Sequence, residues 1–447
     1  MTYKKVAFYT LGCKVNSYET NGMAQKFKES EYEVVDFSEK ADVYIVNTCT
    51  VTSIADKKSR QFLRQAKHNN PDGLIVAVGC YVQASPEEVQ KVQEIDLCVG
   101  TNEKSNIVQI VENYIAAKQS ENSLVTDDVF QNPEYSEFGS VTYTENTRAV
   151  IKVQDGCDRF CSYCLIPYAR GRVRSRKPEN VIQEVKELAA KGYKEVVITG
   201  IHVASYGKDF KNGYSLIDLL EEINPIPGIE RVRLGSIEPL LISEEFIQRF
   251  SKLDKMCHHF HLSLQSGCDE TLQRMNRRYT TSEFREIVHR IRNYFEDSIL
   301  TTDIIVGFPG ETEEEFQKTY KFLKEMKFYK MHIFKYSVRR GTKAENMPNQ
   351  VTSEIKEKRS KLLLEMSDEN EKEYLDSYLG KEIKVLFEEE VDGFYKGHTA
   401  NYIMAKVKSE EKLINQIMTI IVNSREDCIL NCTLKWLLQN CKKVTKT

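Results

Sequence analysis

Asp155-Gly156-Cys157-Asp158-Arg159-Phe160-Cys161-Ser162-Tyr163-Cys164 sets three cysteines within eight residues, directly after the apolar run 150–153. Three thiolates so close together can hold three irons of a [4Fe-4S] cube and leave the fourth iron open to a substrate or cofactor. A structural zinc ion would want a fourth ligand, and His202 is the residue on hand for it. The run 150–153 is also the first of six, the others being 196–198, 232–234, 260–264, 304–306 and 333–336, and helix-like segments follow most of them. Six strands joined by crossovers predict a partial (β/α)6 barrel, too few for a closed eight-fold one.

Upstream, the apolar runs 6–9, 43–46 and 74–78 are each followed by helix-like sequence, a βα repeat that predicts a small parallel sheet. Cys13, Cys49 and Cys80 each stand just past the carboxyl end of one of these strands. That edge is where ligands gather in α/β sheets. A single cysteine there is most often a small buried residue. Three at equivalent positions point to a second three-thiol cluster site. Residues 119–146 lose periodicity and turn rich in Ser, Asn, Thr, Asp and Glu, as a linker does. Downstream, an amphipathic helix is expected from 353 to about 379, stopped by Gly380, and short strands at 383–387, 402–407 and 417–422 predict a small β domain. The expected organisation is a multidomain α/β chain: 1–118, a linker at 119–146, a barrel at 147–379 and a β-barrel domain at 380–447.

The 447 residues are 41% hydrophobic and 29% charged, ordinary globular composition that excludes global disorder. Twelve cysteines are too sparse for a disulfide scaffold and fit metal binding or chemistry in a reducing compartment. The longest nearly apolar stretch, 74–82, is far short of the roughly 20 residues that cross a bilayer. The first apolar residues are too few for a secretory signal. A cytoplasmic protein with neither membrane nor DNA as partner is the expectation. Lys+Arg total 63 against 66 Asp+Glu, a net charge of -3, so an RNA site must be a local patch. Arg170, Arg172, Arg174, Arg176 and Lys177 put five cations in eight residues with no acid among them, and are expected to track phosphates. Arg277, Arg278, Arg339 and Arg340 are further candidates, some of them for holding a cofactor carboxylate in bidentate fashion.

The cysteine loop, with aromatic Tyr163 before its last cysteine, resembles the signature of the radical S-adenosylmethionine superfamily. Gly307-Phe308-Pro309-Gly310-Glu311 resembles that family's glycine-rich cofactor contact, where missing side chains allow close backbone approach. Two three-thiol sites followed by a small β domain resemble the methylthiotransferases over about residues 3–410, as do Thr199-Gly200-Ile201-His202 and the segments 233–239, 261–267, 275–280 and 336–342. The resemblance implies two [4Fe-4S] clusters and S-adenosylmethionine. Cys157, Cys161 and Cys164 would serve radical formation, and Cys13, Cys49 and Cys80 would hold the sulfur that is methylated and inserted. Tyr163, Thr199, Gly200, Ser236, Glu238, Gln265, Arg277 and Gly307 would contact the cofactor.

Leu11-Gly12-Cys13-Lys14-Val15-Asn16 looks like members that methylthiolate carbon 2 of threonylcarbamoyladenosine beside the tRNA anticodon. Isopentenyladenosine enzymes favour Gly-Cys-Gln-Met-Asn here, and ribosomal-protein enzymes favour Gly-Cys-Pro-Lys-Asn. Implied partners are the tRNA anticodon stem-loop and a reducing electron donor. The rivals are another modified adenosine, a ribosomal protein, or a non-enzymatic metal-binding RNA module. Gly397-His398-Thr399-Ala400-Asn401-Tyr402 resembles the signature of the RNA-binding TRAM domain, with His398 and Tyr402 expected to stack on unpaired bases. The likeness stops after about Lys412. Cys428, Cys432 and Cys441, around Trp436, have no family counterpart and read as packing thiols, like Cys98, Cys257 and Cys268.

Overall fold

The computed structural model describes residues 4–117, 123–132, 134–144 and 147–435; Trp436 and Cys441 lie outside them. The N-terminal strands β1 (Lys5–Thr10), β2 (Glu33–Val35), β3 (Val43–Thr48), β4 (Leu74–Gly79), β5 (Leu97–Val99) and β6 (Ser123–Val125) form one parallel sheet in the order β2-β1-β3-β4-β5-β6. β3 is buried at every residue, because Tyr18, Phe27 and Val111 cover one face of the sheet and Leu63, Ala66 and Val89 the other. A strand covered on both faces reads as an apolar run rather than an alternation. β6 comes from the segment expected to be a linker, and beyond it Phe138 and Val141 are buried in the core, with Phe138 edge-on to Tyr18. An edge strand of three residues is too short to show a period.

The central domain holds β7 (Arg148–Asp155), β8 (Arg174–Ser175), β9 (Glu195–Gly200), β10 (Arg231–Leu234), β11 (His259–Gln265), β12 (Ile299–Val306) and β13 (Lys330–Lys335). β10, β9 and β7 pair in parallel, as do β11, β12 and β13, and single bridges at Ile237–Leu262 and Val232–Met256 join the halves. Six parallel strands thus curve into the open barrel that the spacing predicts, and β8 runs antiparallel outside β7. The helix Ser353–Asp376 lies along β13, where Ser367 Oγ accepts the Met331 N–H at 2.9 Å.

β14 (Glu382–Val391), β15 (Phe394–Thr399), β16 (Met404–Lys408), β17 (Ile417–Glu426) and β18 (Ile429–Leu434) close into a barrel in the order β14-β15-β16-β18-β17. The apolar runs missed β15 and β18, whose alternate positions are polar: Lys396 and His398 in one, Asn431 and Thr433 in the other. This barrel plugs the amino-terminal end of the (β/α)6 barrel. Arg231 donates to the His398 and Lys384 carbonyls at 2.9 and 3.0 Å, and Arg233 to the Ala400 carbonyl at 2.9 Å. Tyr402 stacks on His259 and on His398, with centroids 4.8 and 4.7 Å apart. His398 and Tyr402 therefore stack within the protein and not on bases. The buried β10 arginines need acceptors, and this segment's carbonyls supply them.

Candidate active site

The loop 156–165 leaves the carboxyl end of β7 and is held down from outside. Phe160 is left-handed at φ 48°, and Asn276 Nδ2 fixes that turn by donating to its carbonyl at 2.9 Å. Ser162 N–H donates to the Met275 carbonyl at 3.0 Å, and Ser162 Oγ to that of Arg274 at 2.7 Å. Arg277 Nη1 then reaches Cys161 Sγ at 3.4 Å. Burial pushes the Cys157 thiol up to about 11 and Cys164 up to about 12, and Cys161 adds to both. Ionising these two thiols beside Cys161 needs a strongly cationic partner.

The cofactor candidates line the same rim. Thr199 and Gly200 end β9, Ser236 and Glu238 follow β10, Gln265 ends β11 and Gly307 follows β12. Glu238 accepts from Arg277 at 3.1 Å and His202 at 3.3 Å, with Arg159 at 3.6 Å. Burial opposes its ionisation, but the His202 hydrogen bond and the two guanidiniums hold its carboxyl down at about 2. Gln265 sits at φ 72°, a strained turn where the β11–β12 register shifts. Tyr163 packs edge-on to Phe308 at 6.3 Å. A Cβ on Gly307 would stand 2.3 Å from Lys356 Cγ, so the approach its missing side chain permits is taken by Lys356. His202 is no fourth ligand, since its ring nitrogens meet Ser205 and Glu238.

The second triad converges at the edge of the N-terminal sheet. Cys13 precedes the helix Lys14–Glu29, Cys49 follows β3, and Cys80 opens the helix Cys80–Ala84 after β4. Burial pushes the Cys49 thiol up to about 12, and Cys80 and Cys13 add to the shift. Cys13 is exposed, yet desolvation by the surrounding protein raises its thiol as well. Gly12, at φ +105°, lets the chain pass Cys49: a Cβ there would stand 2.8 Å from Cys49 Sγ. Gly12→Ala is therefore expected to lower the iron bound after anaerobic reconstitution from about eight to about four per chain, since each triad would complete one cube. Iron quantitation on folded variant checks this.

Arg170 connects the triads. It ends the short helix Ile166–Arg170 just after Cys164, and its Nε donates to Cys80 Sγ at 3.3 Å. Its other nitrogens reach Glu19 at 2.7 Å, Asn16 at 2.8 Å and Asp155 at 3.2 Å. Lys104 and Lys152 join the same carboxylates. Arg339 makes a second tie, at 2.6 Å to both Thr50, next to Cys49, and Asp56. The phosphate-tracking expectation fails here: Arg170, Arg174 and Arg176 are 0%, 1% and 1% exposed and bond to Glu19, Asn102 and Glu184. Arg172 and Lys177 remain exposed. Among the described residues, the only three His, Cys, Asp or Glu donors all within 4.8 Å of one another are His261, Asp303 and His332. Both thiol triads are thus wider than a single-ion site. Three thiols with a neighbouring guanidinium fit an anionic three-thiolate cluster in each case.

Among the described residues no helix is long and apolar enough to cross a membrane. The sequence pattern of the Radical SAM superfamily matches residues 151–323, and that of Uncharacterized protein family UPF0004 matches residues 5–100. Threonylcarbamoyladenosine tRNA methylthiotransferase MtaB of Bacillus subtilis (strain 168) is 42% identical, with 93% of each chain covered. Its namesake from Aquifex aeolicus (strain VF5) is also 42% identical, over 94% of this chain and 100% of that one. Among solved structures, the radical S-adenosylmethionine methyltransferase TsrM from Kitasatospora setae, with cobalamin and a [4Fe-4S] cluster bound, shares the fold at a TM-score of 0.58 and 16% identity, covering 77% of both chains. Identity of this extent, over a chain that brings its two cysteine triads together at strand ends, shows that the protein belongs to the radical S-adenosylmethionine tRNA methylthiotransferase family.

Proposed function

We propose that this chain installs a methylthio group on carbon 2 of N6-threonylcarbamoyladenosine next to the tRNA anticodon, in the cytoplasm, using electrons from a reducing donor. The observation that carries the reading is the pairing of two three-thiol sites, each with an arginine on one thiol, from facing domains tied by Arg170. Family membership brings S-adenosylmethionine and two [4Fe-4S] clusters, which when bound supply adenosyl-radical formation and the sulfur to be transferred. The protein's share is positional. Cys157, Cys161 and Cys164 would hold one cluster, Cys13, Cys49 and Cys80 the other. Glu238, Arg277 and Gln265 shape the rim where cofactor would bind.

RNA would approach at the rim beside the cysteine loop. There Phe130 and Tyr168 are exposed, and Arg172 lies over Phe130 and Phe160 at 5.9 and 5.0 Å from their centroids. Exposed aromatics interleaved with arginine form a platform on which unpaired bases stack. Mass spectrometry of tRNA nucleosides from cells with and without the chain tests the function. The methylthio form of threonylcarbamoyladenosine is expected to vanish and the unmodified parent to accumulate. Loss of a methylthio mark from a different nucleoside, or from a ribosomal protein, would overturn the substrate.

A further inference from the structure

We propose that Lys14 binds the carboxylate of the substrate's threonylcarbamoyl group and thereby selects this modified adenosine, an inference that rests on the function proposed above. The helix Lys14–Glu29 begins one residue after Cys13. It meets the inner face of β7 and β9 and the C-terminal barrel around a cavity of about 410 Å³, lined among others by Lys14, Ser17, Arg148, Arg233, His398 and Tyr402. That volume falls within the roughly 300–1,000 Å³ of small-ligand sites.

Every other cation on the wall is already paired. Arg148 lies 3.0 Å from Glu388, Arg233 2.7 Å from Glu195 and Lys396 3.9 Å from Glu389, and His398 shares Glu388 at 2.8 Å. Lys14 alone among them has no hydrogen-bond or ion-pair partner among the described residues. The acids already in the cavity are held by Arg148, His398 and Lys396, so the free charge available to an anion is that of Lys14.

The chemistry of the proposed substrate matches. Threonylcarbamoyladenosine carries a free carboxylate on its N6 substituent, a few bonds from carbon 2 on the same ring. The group that holds the substituent must therefore sit close to the sulfur site. Lys14 is covalently next to Cys13, one of the three thiols proposed to hold that sulfur.

The test compares two anticodon stem-loops, one bearing threonylcarbamoyladenosine and one bearing its methyl ester. Each is used with anaerobically reconstituted wild type, Lys14→Met, Lys14→Gln and Lys14→Arg, all checked for about eight irons per chain. Esterification is expected to lower wild-type kcat/KM about fivefold, chiefly through KM, as loss of a solvent-reached charge pair does. Lys14→Met and Lys14→Gln are expected to lose a similar factor on the free acid and to treat acid and ester alike, whereas Lys14→Arg keeps the preference. Equilibrium binding of the two stem-loops should show the same pattern without turnover. A wild type indifferent to esterification overturns the proposal. So does a Lys14→Met variant that keeps the wild-type preference, or one that loses acid and ester equally, because Lys14 would then serve the sulfur site and not the substituent. A wild type that modifies neither stem-loop but does modify another adenosine overturns the proposed function, and the carboxylate ligand falls with it.

Discussion

Replacing Cys161 by Ala is expected to abolish reductant-driven release of 5′-deoxyadenosine, by about two orders of magnitude or more, while Cys49→Ala retains measurable release and makes no methylthio product. The structure separates the two losses. Cys161 lies on the loop after β7, under Arg277 and among the rim residues Glu238 and Gln265, and a cluster with two anchors there would lose the pocket that positions the cofactor. Cys49 follows β3 of the other domain, and its neighbours are Cys13, Cys80 and Gly12. Its removal leaves the barrel rim unchanged. Each variant should bind about four irons after reconstitution where the wild type binds about eight. Assay of 5′-deoxyadenosine with S-adenosylmethionine and dithionite, alongside iron content and a thermal melt, checks both arms. Equal loss of cleavage in a folded Cys49→Ala protein would contradict the division of labour between the triads.

What could be read from the chain depended on whether the signal was local. The cysteines were legible because a thiol just past a buried parallel strand is placed by that strand alone, and the strands are unbroken apolar runs. Among the barrel strands only 196–198 and 304–306 are such unbroken runs, whereas β7, β10, β11 and β13 carry Lys152, Arg233, His261 and Lys335 within theirs. The arginine run was misread because its partners are far off in sequence: Arg170 pairs with Glu19, 151 residues away, and Arg174 with Asn102, 72 residues away. A run without acids looks solvated until the fold brings the acids to it. His398 and Tyr402 failed likewise, since stacking on a base and stacking on His259 call for the same residue types. Asn276, which fixes the left-handed turn at Phe160, lay inside a family-like segment but had no visible role, because the need for it arises from a backbone angle. The strands β15 and β18 escaped because half their positions are polar.

Arg170→Met is expected to destabilise the protein by about 3–5 kcal/mol at pH 7, the range found when one partner of a buried ionic network is removed. Methionine fills much of the same volume but leaves Glu19, Asp155, Asn16 and the Cys80 thiol without their shared donor, in a site where water cannot replace it. The pH dependence identifies the cause. Burial opposes ionisation of Glu19, but Arg170, Lys104 and Lys152 outweigh it and hold the carboxyl well below its ordinary value of 4.5. A depressed carboxyl contributes stability that is present above 4.5 and lost as the pH falls through its folded-state value. Without Arg170 the depression is smaller, so the variant has less to lose in acid. The gap between wild type and variant should be widest near neutrality and narrow once the pH falls below about 4.5. Urea titrations across that range measure it. Because Arg170 is buried, a variant that still folds should keep the wild-type salt dependence of tRNA binding, whereas exposed Arg172→Ala should reduce the slope by up to about one. A destabilisation under about 1 kcal/mol, or a gap independent of pH, would mean that the network does not hold the two cysteine domains together.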